Sequence, residues 1–301
     1  MKMAKTLKID FAGKISQFEK IIKEFQLRRI LYKSLFRAKG LEFDSYRPFE
    51  RDEDASAIDW KATLRAGNLT ARKYVEERDM DIYFVVDVSK SMLFGSKEKL
   101  KSEYAAEIAA VLSHLMLDSN DNPGLVMFQE NLVEFVKPRK GKKQFQLMIK
   151  FLCDGEKYGG NFDINNTIQY LLKSISSRFS VIILISDFIH IKKGFELNLK
   201  LLSKRFETIA IMIRDPLDEE LPKTSQQILI QDPHSGRQMV VNSSLVAESY
   251  KKNAKKQKEL IKNIFRMANI DLLELNTNEE FIIPLVSFLR TRAGGFKGGR
   301  R

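Results

Sequence analysis

Two aliphatic runs in this chain end on an aspartate: Ile82-Tyr83-Phe84-Val85-Val86 leads into Asp87, and Val181-Ile182-Ile183-Leu184-Ile185-Ser186 leads into Asp187. Asp87 opens an Asp-x-Ser-x-Ser run, Asp87-Val88-Ser89-Lys90-Ser91, which offers one carboxylate and two hydroxyls to the same spot. All-oxygen ligands of this kind suit a hard cation such as Mg²⁺ or Mn²⁺. The hydroxyls of Ser89 and Ser91 can ligate directly without satisfying the cation's charge, while Asp87 and Asp187 supply negative charge, directly or by orienting bound water. A third loop must close the shell. Gly159-Gly160-Asn161-Phe162-Asp163 is placed to do so, with Asn161 or Asp163 as the contributor. Mg²⁺ is octahedral and keeps water readily, so a small set of protein ligands leaves a position open.

Each piece has a plainer reading. Asp and Ser before a helix are common N-caps, an aspartate often ends a strand, and Gly-Gly alone is a turn. The joint arrangement on successive strand ends and the loop between them favours a metal site.

The elements that would position these residues follow from hydrophobic period. Short runs rich in β-branched residues read as strands buried on both faces of a parallel sheet, whose ligands lie outside the carboxyl ends. Strands are expected at 82–87, 125–128, 132–136, 180–187, 207–213 and 270–275, and helices near 97–118, 143–153, 164–177, 195–204, 244–268 and 278–290. The pair 125–128 and 132–136 reads as a hairpin at a sheet edge, and Asp121-Asn122-Pro123-Gly124 as a turn. A second hairpin is expected at 227–231 and 238–241. Ahead of the sheet, residues 14–37 carry apolar side chains at helical spacing, and Leu69 to Val75 reads as a strand. Alternation of this kind gives a doubly wound α/β fold. The domain plan is residues 1–79 as an N-terminal helix plus an acidic, Trp-containing segment, 80–292 as the α/β domain, and 293–301 as a flexible basic tail.

The 301 residues, 44% apolar and 30% charged, describe a globular protein. No stretch approaches the ~20 apolar residues of a membrane span, and the N-terminus lacks the apolar core of a secretory signal. A single cysteine, Cys153, fits a reducing compartment, so a cytoplasmic location is expected. Lys and Arg number 51 against 39 Asp and Glu, a net charge of +12 that would suit an acidic partner. No phosphate-binding loop or nucleophile elbow is present. His114 reads as a half-buried helix residue, and His190 and His234 as loop and turn residues.

Asp87-Val88-Ser89-Lys90-Ser91 with Met92, the helix after it, and Ile185-Ser186-Asp187-Phe188 resemble the metal-ion-dependent adhesion site of von Willebrand factor type A domains. The block from Tyr46 to Lys61, with Ile58-Asp59-Trp60 at its end, continuing to Leu64-Arg65 and Glu76-Glu77-Arg78, is similar to the motif of the domain of unknown function 58 family. The resemblance implies a von Willebrand A-like fold and a non-enzymatic, metal-dependent protein-binding module associated with MoxR-type AAA+ ATPases. In the related domains a partner's Asp or Glu fills the open metal position. This chain departs from the family pattern at Phe162, where a metal-binding threonine is usual, at Asp52, where a glycine is usual, and at Ser56, where an arginine is usual. Longer relatives carry membrane segments.

Within the acidic block, Trp60 reads as a packing anchor docked on the sheet, with Asp59 paired to Arg65 or Arg72. Asp59-Trp60-Lys61 is also an Asp-x-Lys run, which gives an alternative reading as a metal-dependent nuclease or nucleic-acid-binding protein. No nucleic-acid-binding motif accompanies it, so nucleic acid is not the expected partner. The expected work is reversible binding of a protein partner through Mg²⁺ or Mn²⁺, without chemistry.

Overall fold

In the computed structural model, residues 7–24, 43–49, 58–74, 80–176, 180–192, 194–222, 224, 227–231 and 235–294 are described. Six strands form the central sheet: β3 (Asp81–Asp87), β4 (Asn122–Phe128), β5 (Leu132–Val136), β6 (Ser180–Ser186), β7 (Glu207–Arg214) and β10 (Asp271–Asn276). Their order is β10-β7-β6-β3-β4-β5. All neighbours are parallel except the edge pair β4 and β5. In order of appearance this is 3-2-1-4-5-6, the doubly wound pattern whose switch point lies between the first and fourth strands, here β3 and β6. The expected architecture, a doubly wound, mostly parallel sheet flanked by helices, is the one observed.

Alternation along the central strands divides the core into two layers. Ile82, Phe84 and Val86 of β3, with Val181, Ile183 and Ile185 of β6, face one layer. There they meet α1 (Phe11–Glu24), α3 (Lys101–Asp118), α4 (Lys142–Cys153) and α9 (Ile282–Gly294) through residues such as Phe18, Ile108, Met148 and Leu285. Tyr83 and Val85, with Ile182 and Leu184, face the other layer. That layer contains α5 (Ile164–Ser174), α6 (Phe195–Arg205) and α8 (Ser243–Met267), which contribute Ile168, Leu199 and Phe265. Both faces being covered explains why these strands read as unbroken apolar runs. Helix α3 is buried almost all round, and its small face, Ala105, Ala106, Ala109 and Ala110, lets it lie close to its neighbours.

The N-terminal strap is tied to this layer by backbone donors. Lys8 N–H donates to Glu103 Oε1 at 2.8 Å, and Leu7 N–H to the Cys153 carbonyl at 3.1 Å. His114 is half-buried, as expected, with Nε2 at 2.8 Å from Glu19 Oε1.

Three expectations are corrected. Asn122 to Gly124 belong to β4 and are not a turn. Pro123 is tolerated there because β5 pairs only as far as Leu125, so that flank has no ladder to serve. A Cβ on Gly124 would meet the Val136 carbonyl at 2.8 Å, so glycine is needed where β4 passes the end of β5 farthest from the hairpin turn. The last helix begins at Ile282, not near residue 278. Trp60 does not dock on the sheet: it is 63% exposed at the first position of a short helix, α2 (Trp60–Ala66). Asp59 caps that helix, its Oδ1 accepting from Lys61 N at 3.0 Å and Ala62 N at 3.1 Å, which turns the next side chain outward. Helix α2 stands beside a separate antiparallel pair, β1 (Phe43–Pro48) and β2 (Thr70–Tyr74). Residues 25–37 of the first expected helix, most of the acidic block, the side chain of Arg72, His234 and residues 295–301 of the tail lie outside the described residues. The hairpin of β8 (Gln227–Gln231) and β9 (Gln238–Asn242) forms a third small sheet, and α7 (Pro216–Glu219) follows β7. No helix among the described residues is long and apolar enough to cross a membrane.

The close packing of α3 makes a direct prediction. Ala109→Leu should cost about 1–3 kcal/mol by overpacking, whereas Leu64→Ser, at a site 85% exposed, should stay within about 0.5 kcal/mol. Urea unfolding of the two variants measures both, and equal losses would contradict this packing.

Candidate metal centre

The parallel pairing of β3 with β6 sets Val86 opposite Ile185, so the chain leaves both strands at the same edge of the sheet. Asp87 and Ser186 meet there. Ser186 Oγ donates to Asp87 Oδ2 at 2.6 Å, and Asp87 Oδ1 accepts from Ser89 N at 2.8 Å. The hydroxyls of Ser89 and Ser91 stand 3.2 Å apart. Asp87, Ser89, Ser91 and Asp187 are all buried, and Lys90 between the serines is exposed.

Asp187 is held differently. Its Oδ1 accepts from Ile189 N at 3.1 Å and its Oδ2 from the Lys101 ammonium at 2.7 Å. The chain then turns sharply: Phe188 has φ 49°, a left-handed conformation that is strained for a bulky residue. Packing holds it, with the Phe188 ring 4.9 Å from that of Phe265 and Phe188 N–H donating to Ser186 Oγ at 3.0 Å.

The third loop is fastened to the first by backbone hydrogen bonds. Gly159 N–H donates to the Val88 carbonyl at 2.8 Å, and Lys90 N–H to the Gly160 carbonyl at 3.0 Å. Gly160 has φ 77°, and a Cβ there would collide with Gln129, so the register of this loop needs glycine. Its two candidate contributors are disposed unlike each other. Asp163 caps α5 through Asn165 N at 3.0 Å and pairs with Lys192 at 3.0 Å. Asn161 Oδ1 is buried with no hydrogen-bond partner. Phe162, at the position of the family's threonine, is buried against Phe128 with ring centroids 5.9 Å apart, and its side chain has no oxygen to offer.

Burial and charge explain the protonation of the two acids. Burial, reinforced by the neighbouring Asp187 carboxylate, pushes Asp87 up from 3.8 to about 7, against the pull of its Ser186 and Ser89 hydrogen bonds. Burial also pushes Asp187 up, but the Lys101 ammonium and then Arg214 overcome it and hold Asp187 below the ordinary carboxylate value. Lys101, Arg214 and Asp218 belong to no motif, and the sequence assigns Ser186 no role within its own, yet the structure brings them to this edge. The structure also gives Lys101 an unusual place. It occupies the first position of α3, where the helix dipole disfavours a cation, so something other than helix stability accounts for it there.

The edge therefore brings together two hydroxyls and two adjacent carboxylates, of which Lys101 engages one, and the loop fastened beside them carries the orphaned Asn161 oxygen. Such a set fits a hard divalent cation. Asp87, Ser89, Ser91 and Asn161 could hold it, with Asp187 behind them.

The description "Protein of unknown function DUF58" matches residues 45–260 of this chain. The chain is 24% identical over 266 residues to uncharacterized proteins of Mycobacterium tuberculosis and Mycobacterium bovis, covering 87% of this chain and 83% of each of theirs. Among solved structures it is similar to a conserved hypothetical protein, BatB, of Bacteroides thetaiotaomicron, at 14% identity and TM-score 0.46, over 71% of this chain and 99% of that one. It is also similar to the SpRpn10 VWA domain, at 13% identity and TM-score 0.38, over 69% and 94%. The fold stands on the strand order described above and not on these likenesses.

The raised value of Asp87 gives metal-free stability a definite sign. Between 3.8 and about 7 the native carboxyl keeps a proton that the unfolded chain has lost, so its contribution falls as pH rises across that window. Asp187 acts oppositely, its contribution being lost only in stronger acid. Asp87→Asn removes the buried charge and keeps the shape. In chelator at pH 8 it should melt above the wild type by about 2–4 °C, the shift worth ~1 kcal/mol in a domain of this size. An equally steep decline in both proteins would assign the slope to other groups.

Proposed function

Because the chain belongs to the family of proteins of unknown function DUF58 and carries this oxygen-lined edge, we propose that it is a non-enzymatic protein-binding module whose contact with its partner runs through a divalent cation. The observation that carries the reading is the pair of buried carboxylates, Asp87 and Asp187, set side by side, of which Lys101 engages only Asp187. Asp187 and Asp218 share Lys101, and Arg214 adds a second positive charge near Asp187, while Asp87 is held by hydrogen bonds from Ser186 and Ser89 alone. A divalent ion supplies the missing positive charge. Ser89 and Ser91 bind it as neutral ligands, Asp87 as the adjacent anion, and Asn161 contributes the third loop in place of the family's threonine. Asp163, already engaged by α5 and Lys192, has the weaker claim.

The cation supplies a Lewis-acidic contact for an oxygen anion. The chain's own residues do the rest. The Gly159–Asn161 loop and the exposed Lys90 form the rim over which a carboxylate arrives, and Lys90 adds a positive charge that favours it. The partner is accordingly a protein that presents Asp or Glu. We assign it to the class of MoxR-type AAA+ ATPases or their clients, on the sequence resemblance, and place the complex in the cytoplasm, which suits a chain with one cysteine.

Mg²⁺ at ~100 times its dissociation constant should stabilise the fold by about 2.7 kcal/mol, a rise in melting temperature of about 5–11 °C by the scaling for a domain of this size. Asp87→Ala should lose the rise while remaining folded. Co-purification of a MoxR-type ATPase should be lost in chelator and in the same variant. A wild-type protein whose melting is indifferent to Mg²⁺ and Mn²⁺ would end the metal reading.

A further inference from the structure

The Lys101 ammonium is buried, 1% exposed, at the inner end of α3. It donates to Asp187 Oδ2 at 2.7 Å and to Asp218 Oδ2 at 2.9 Å, joining the end of β6 to α7. Phe94 covers it, its ring centroid 5.8 Å from the nitrogen, and Lys101 N–H donates to the Phe94 carbonyl at 3.0 Å. Arg214, 4% exposed at the end of β7, adds a second positive charge near Asp187, and its Nε and Nη2 have no hydrogen-bond partner. Burying a lysine at a helix N-terminus carries both a desolvation cost and an unfavourable dipole. The fold accepts both where a buried cation touches a carboxylate of the candidate metal centre.

We propose that Lys101 sets the charge of that centre, holding Asp187 in an ion pair so that it stays off the metal and leaves Asp87 as the single anion against the cation. This rests on the metal reading above. Both oxygens of Asp187 are already engaged, Oδ1 by Ile189 N–H and Oδ2 by Lys101, whereas Asp87 is held by a neutral hydroxyl and a backbone amide. With one anionic ligand, a divalent ion keeps a net positive charge, and that charge is what a visiting carboxylate is drawn to. With two, the ion would be neutral, bound more tightly and less attractive to a partner. Lys101 is thus a positioning residue that exchanges metal affinity for partner affinity.

The test uses Mn²⁺ alone as the probe on the full chain. Free Mn²⁺ is read by electron paramagnetic resonance, and water on the bound ion by proton relaxation. In Lys101→Met combined with Asp218→Asn, which removes the carboxylate that would be left unpaired, Asp187 is free to ligate. Mn²⁺ should then bind about tenfold tighter, the scale of changes around metal ligands, and each bound ion should relax water less because a carboxylate has replaced a water. Adding Asp187→Asn should reverse both effects. Lys101→Gln, which keeps a hydrogen-bond donor for the buried acids, should move both readings in the same direction and serves if the first variant does not fold. Unchanged or weaker binding with unchanged relaxation in the folded variants would overturn the inference. A wild-type protein that binds no Mn²⁺ would instead remove the metal reading, and this inference with it.

Discussion

Parallel pairing of β3 with β6 forces two carboxylates into one dry space, and the local structure around them answers that constraint. The strands are neighbours at the switch point of the sheet and end in step, so Asp87 and Asp187 leave the core together. Buried like charges repel strongly. The fold meets the problem in two ways. Asp187 receives a lysine, and Asp87 receives hydrogen bonds and takes up a proton near neutral pH. The second arrangement leaves a place for an external cation.

The surrounding elements fix this geometry from three sides. The Asp-x-Ser-x-Ser segment turns back under its own aspartate through the Ser89 amide, and the glycine loop is laced to it by Val88 and Lys90. Phe188 holds a left-handed turn by packing against Phe265. Each holds a polar group in position with apolar packing or backbone hydrogen bonds, which do not compete for the oxygens left over. Asn161 keeps an unsatisfied acceptor in consequence, an unusual condition for a buried amide.

Much of this was legible in the sequence, for a physical reason. Strands covered on both faces must be apolar at every position, so β3 and β6 stand out as unbroken runs, and the aspartate ending each marks the carboxyl edge. Lys101 was hidden because a lysine beside Leu100 in an amphipathic pattern reads as a solvated residue, and only the partner Asp187, 86 positions away, makes it a buried one. Trp60 misled for the opposite reason. Its size suggests burial, but the cap made by Asp59 decides which way the first helical side chain points, and it points to solvent. Pro123 likewise reads as a turn until the short reach of β5 frees one side of its strand.

The central claim is a position in space, and anomalous diffraction from crystals grown with Mn²⁺ tests it most directly. The account predicts a single strong peak within bonding distance of the Ser89 and Ser91 hydroxyls, beside the Asp87 carboxylate, with the Lys101 and Asp187 pair intact behind it. No peak at the carboxyl edge of β3 and β6, or Mn²⁺ bound elsewhere on the molecule, would contradict it.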